Sequence, residues 1–195
     1  MTKLILWSSA LKDEYTSLFK SCEIHTDKLP IIDAIIEKLD RFHKRYEAIA
    51  HQVGCPWWFV GLVHYIECGF RFDRHLHNGD PLSARTVRVP SGRPIVGRPP
   101  FTFEQSAMDA LRFKHFNEVK DWSIAKALFF LEGYNGFGYR QFHPQVLSPY
   151  LWSFTNHYTK GKYVSDSHFD PDCVSEQAGL AAILKRAVDR KVVLV

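Results

Sequence analysis

One segment constrains this chain more than any other. In PWWFVGLVHYIECGF, residues 56–70, apolar side chains point in nearly every direction around a helix, and a single glutamate, Glu67, stands near its end. A helix that is apolar all round has no face to give to water and must be enclosed by other elements. The segment therefore predicts a central core helix, opened by Pro56 after a stop at Gly54. A chain of 195 residues suffices to wrap it in one domain with one sizeable core.

The flanking pattern supplies the wrapping. Residues 9–22 place Leu11, Tyr15, Leu18 and Phe19 on one helical face. Asp27, Lys28 and Leu29 lead into a second helix with Pro30 in its first turn. From Ile31 to about Val53, Ile32, Ile35, Ile36, Leu39, Phe42, Tyr46 and Ile49 recur at three- and four-residue steps, which predicts one long amphipathic helix. Between Arg71 and Pro100 the periodicity lapses into His, Asn, Gly, Asp, Arg and Pro, including TVRVPSGRPIVGRPP. A loop of that length inside a domain is usually functional, and a short hairpin around Ser91 and Gly92 is the alternative for part of it.

Helical periodicity resumes behind Thr102, an N-cap with Gln105 as its capping-box partner, and runs to about Phe113. Ser123 opens SIAKALFFLEGYN, which stops at Gly136 and Gly138. Ser148 and Pro149 begin a helix through about Tyr158, and a loop with Asp166, Asp170 and Pro171 leads to a last helix over residues 172–190. The expected fold class is mainly α with little strand. It is a single domain over residues 1–195, in which helices of residues 1–53 pack on a core formed by residues 56–190.

Composition narrows the partners. The formal charge of +4 comes without a dense Lys/Arg block, so no nucleic acid is expected, while a polyanionic bacterial wall would suit the sign. No stretch approaches the roughly twenty apolar residues that span a bilayer, so no integral membrane association is expected. The apolar run before Ser8 is too short for a secretory signal, which predicts synthesis in the cytoplasm and a separate route to any outside substrate. Cys22, Cys55, Cys68 and Cys173 form neither a CxxC pair nor a zinc comb and read as buried thiols. His64, His75 and His77 with Asp73 and Asp80 would make a metal site only if further ligands converged, and nothing like HExxH is present. No metal and no cofactor is expected, and the chain reads as a monomer.

The chemistry centres on Glu67. Desolvation at the end of an apolar helix disfavours the carboxylate and leaves the protonated form a general acid needs. The alternative is an ion pair with Arg71 or Arg74. Glycoside hydrolysis asks for a second carboxylate nearby, and Asp73 and Asp80 both lie on RFDRHLHNGDP, which leaves the helix. Asp80 before Pro81 is also a good turn residue. His77 and Asn78 on the same segment are candidates for substrate oxygens. In EGYNGFGYR, the tyrosines Tyr134 and Tyr139 and the amide of Asn135 could stack on and bind a sugar, or the glycines could serve only as a helix stop.

Together these stretches resemble the lysozyme-like superfamily, most closely its goose-type lysozyme and soluble lytic transglycosylase branch. HYIECGFRF is similar to that branch's apolar helix with a catalytic glutamate, and YNGFGY to its cleft motif of tyrosine and asparagine. HLHNGDPL, WSIAKALFFLEGYNGFGYR and SPYLWSFTNHYTKGKYV resemble small phage and bacterial lysozyme-family, endolysin-like proteins over residues 50–185. The resemblance implies a lysozyme-like fold and Glu67 as catalytic acid. It implies Tyr134 and Asn135 in the cleft, and Asp80 where goose-type enzymes hold water. Cys68 stands where the branch commonly has serine, and Phe137 is bulkier than usual. The implied activity is N-acetylmuramidase action on peptidoglycan glycan strands. The alternatives are a lytic transglycosylase and a non-catalytic glycan-binding or wall-assembly protein.

Overall fold

The computed structural model describes residues 5–165 and 167–194. Asp166 and residues 1–4, on which the loop and leader expectations partly rest, lie outside them. The chain is mainly helical. In order, the helices are α1 (Ser9–Lys20), α2 (Leu29–Arg41), α3 (His43–Val53), α4 (Trp57–Cys68), α5 (Phe103–Phe113), α6 (Ile124–Tyr134), α7 (Gly138–Phe142) and α8 (Pro149–Trp152). Strands β1 (Lys162–Ser165) and β2 (His168–Asp170) form one antiparallel hairpin, and α9 (Leu180–Asp189) follows. No helix is long and apolar enough to cross a membrane among the described residues.

The chain divides into two compact units, Met1–Glu37 with Ser123–Val195, and Lys38–Trp122. Both α3 and α4 belong to the second unit. In that second unit α4 is the core. Trp58, Phe59, Val60, Leu62 and Val63 are buried on successive sides of it, which is the solution its all-round apolar sequence demands. Gly61 makes the close crossing possible, since a Cβ there would fall 2.5 Å from Leu39 Cδ2. Helices α3 and α5 pack nearby, and Phe59 meets Phe116 and Trp122 edge-on.

The helix expected over residues 31–53 is two helices. At Phe42 (φ −97°, ψ 6°) the chain leaves helical geometry, and the Phe42 carbonyl accepts from both Arg45 and Tyr46. The Phe42 ring lies 4.7 Å from that of Phe72, so the break serves to pack it on the segment after α4. The apolar spacing reads the same with or without the break, because α3 continues the stripe through Tyr46, Ile49 and Val53.

In the first unit α1 packs on α6 and α8 on α9. Tyr15 and Phe129 meet edge-on, and one side of α9 buries Leu180, Ala181, Ile183, Leu184 and Ala187. Two helices are shorter than their patterns suggest. α8 ends at Trp152 because Phe154 turns left-handed (φ 72°) to lay Thr155 against Ile24. α9 begins only after Gly179, whose amide bonds the Ser153 carbonyl and whose position leaves no space for a Cβ, the Leu151 carbonyl carbon being 2.6 Å away.

Candidate active site

Glu67 occupies the last turn of α4, half-buried. Gly69 ends the helix in a left-handed cap (φ 57°), its amide bonding the Tyr65 carbonyl at 2.9 Å. The loop then returns, and Gly79 passes beside the end of the helix, where a Cβ would stand 3.7 Å from the Glu67 carbonyl oxygen. The HLHNGDP segment and the glutamate therefore share one end of the second unit.

Asp80 is the organiser of this loop. It is 6% exposed, and its carboxylate accepts from the Val87 amide at 2.8 Å, the Arg88 amide at 3.1 Å and Arg88 Nε at 2.6 Å. Burial opposes ionisation, but the donated bonds from Val87 and Arg88 outweigh it and hold the carboxyl down at about 2. Asn78 works with it, accepting from the Asp80 amide through Oδ1 and donating from Nδ2 to the Arg88 carbonyl. Thr86 closes the same loop by pairing its backbone with Arg93 and Gly92, so the hairpin considered around Ser91 and Gly92 is a hydrogen-bonded turn without strands. Asp73, by contrast, is exposed and ion-paired to Arg71 at 3.0 Å, and the Arg71 guanidinium holds its carboxyl below the usual range.

The loop's acid response follows from Asp80. A carboxyl depressed by folding stabilises above its unfolded value of about 3.9 and loses that contribution as pH falls through its folded value. Thermal melting of the wild type and of Asp80→Asn should thus differ most above pH 4. The gap should close as pH drops to about 2. A gap that is constant over that window overturns this role.

The histidines of HLH lie under the loop. His75 Nε2 donates to the Ala84 carbonyl at 2.8 Å, leaving Nδ1 to accept from Ser106 Oγ at 2.8 Å. Ser106 Oγ in turn accepts from the Leu76 amide and lies 3.4 Å from His77 Nδ1. His77 Nε2 donates to Asp109 at 2.8 Å, and Arg93 pairs with the same carboxylate. Ser106, His77 and Asp109 follow the order of a hydrolytic triad, yet Ser106 is fully buried and its hydroxyl hydrogen is engaged by His75. No substrate reaches it. The His77 side chain is likewise enclosed, so it positions the loop and does not meet a sugar. His64 sits in a box of Phe70, Phe72 and Phe103, and burial lowers it to about 4. Among the described residues no group of three or more His, Cys, Asp and Glu is placed to hold a metal ion.

In the first unit, Tyr134 ends α6 half-buried, Asn135 is its exposed C-cap, and Gly136 turns left-handed (φ 81°). Tyr139 is buried, its hydroxyl accepting from the Tyr163 amide at 3.0 Å, so it anchors the β1–β2 hairpin. No protein-family model, curated protein or solved structure matches this chain. The site is therefore read from its own geometry.

That geometry contains a group the sequence did not single out. Glu132 is 2% exposed, accepts from the Tyr15 hydroxyl at 2.6 Å and pairs with Arg140 Nε at 2.9 Å, while Arg140 also reaches Glu14 at 2.8 Å. Burial raises the Glu132 carboxyl, and Arg140 and Tyr15 offset this in part. Glu132 precedes the YNG turn and Arg140 follows it, so the pair ties the two sides of that turn together. The available signal was a lone glutamate in a largely apolar helix, a signal like the one that marks Glu67.

Proposed function

We propose that this chain has a lysozyme-like fold and acts as an N-acetylmuramidase, cleaving the β-1,4 bond between N-acetylmuramic acid and N-acetylglucosamine in peptidoglycan glycan strands. Its natural site of action is the cell wall. The observation that carries the proposal is the setting of Glu67 in the last turn of a buried apolar helix, half-accessible, beside a loop fixed by its own polar network. Glu67 would protonate the leaving oxygen.

One observation favours a second reading, a lytic transglycosylase. Inverting hydrolysis needs a carboxylate to activate water, and Asp80 spends its oxygens on Val87 and Arg88 and is a weak base with its carboxyl held near 2. In a transglycosylase the 6-hydroxyl of muramic acid replaces water and Glu67 serves as acid and then base, with no second carboxylate.

Mass spectrometry of soluble products from purified peptidoglycan separates the two. An ordinary reducing end supports hydrolysis, and products lighter by one water support the anhydro-forming reaction. Absence of any product from the wild type overturns both.

A further inference from the structure

The residues after the YNG turn build a feature with no part in the assignments above. Phe142 at the end of α7, His143, and Tyr163, Ser167 and Phe169 of the hairpin line an open pocket of about 520 Å³, within the range of small-ligand sites. His143 lies flat on Phe169, with centroids 3.6 Å apart at 14°, and Tyr163 stands edge-on to both. Tyr139 fixes the hairpin to α7 through the Tyr163 amide, so the pocket is held in continuity with the YNG turn.

His143, Tyr163 and Phe169 are only half-buried, and Phe142 beside them in the pocket lining is 62% exposed. Among the described residues neither the His143 ring nitrogens nor the Tyr163 hydroxyl has a hydrogen-bond partner. The pocket thus presents apolar faces together with polar edges that remain unspent. A pyranose matches that combination, laying its C–H face on an aromatic ring and turning hydroxyl and N-acetyl groups to the rim. A purely apolar partner would leave the imidazole and the phenol unsatisfied at some cost.

We infer that this pocket is a saccharide subsite that takes one N-acetylhexosamine ring against Phe142 and Tyr163, with His143 and the Tyr163 hydroxyl bonding its polar edge. The inference rests on the glycan-cleaving reading and extends it to saccharide binding by this pocket of the first unit. Its test is calorimetric titration of the N-acetylglucosamine tetramer into Glu67→Gln protein, alone and with Phe142→Ala or Tyr163→Phe added. Because Phe142 is largely exposed, its loss leaves the fold intact, which melting temperature verifies. Loss of one stacking contact should weaken binding about tenfold in Phe142→Ala, with a smaller loss in Tyr163→Phe. Unchanged affinity in both variants overturns the subsite while leaving the glycan reading standing. Tetramer binding that is absent while wild-type protein still releases peptidoglycan products also overturns it. Absence of both binding and products removes the reading on which it rests.

Discussion

Glu67→Gln lowers the release of soluble fragments from peptidoglycan by at least about a hundredfold, the lower end of what a positioned general acid supplies. The replacement has nearly the same shape and carries no charge, so the end of α4 and its Gly69 cap should survive it. Melting temperature is expected to shift by no more than a few degrees, and affinity for glycan should persist. Turbidity loss of a wall suspension, with fragments counted by chromatography, measures the first effect. Undiminished release by a well-folded variant would remove Glu67 from the chemistry and with it the proposed mechanism.

Glu132→Ala has the largest effect expected on stability, about 3–5 kcal/mol, because it leaves Arg140 beside an emptied, buried site and removes the acceptor of the Tyr15 hydroxyl. Urea denaturation of the wild type, Glu132→Ala, Arg140→Met and a double variant Glu132→Leu with Arg140→Met gives the comparison. Removing one partner should cost far more than replacing both by apolar residues, since only the former strands a charge. A single variant as stable as the wild type would mean that the pair does not hold the turn. A folded Glu132→Ala that cleaves peptidoglycan at the wild-type rate would show that the YNG turn does not depend on the pair.

What the sequence made legible was local. Thr102 and Gln105 form the anticipated reciprocal cap, Gly54 ends α3 in a left-handed conformation, and the residues expected on the α2 and α3 stripe are buried except Phe42, which is half-buried. Each of these depends on neighbours within a turn or two. The misjudged helix ends depend on distant partners. Phe42 breaks its helix to reach Phe72, and Gly179 delays α9 because the Leu151 carbonyl occupies the space of a side chain. The site shows the same division. Glu67 could be singled out because its whole helix is apolar, whereas Asp80 looked like a turn residue or a base and is a hub for donors seven and eight residues away. Glu132 could not be interpreted without Tyr15, 117 positions earlier in the chain.

The cysteines carry a consequence of another kind. Cys22, Cys55 and Cys68 are free and buried, and burial pushes the Cys68 thiol up to about 12, where almost none of it is thiolate at neutral pH. The core is closed without a covalent cross-link and without a sulfur ready to form one. Transfer from a reducing to an oxidising medium should therefore spare these three thiols, and oxidation should be confined to half-exposed Cys173.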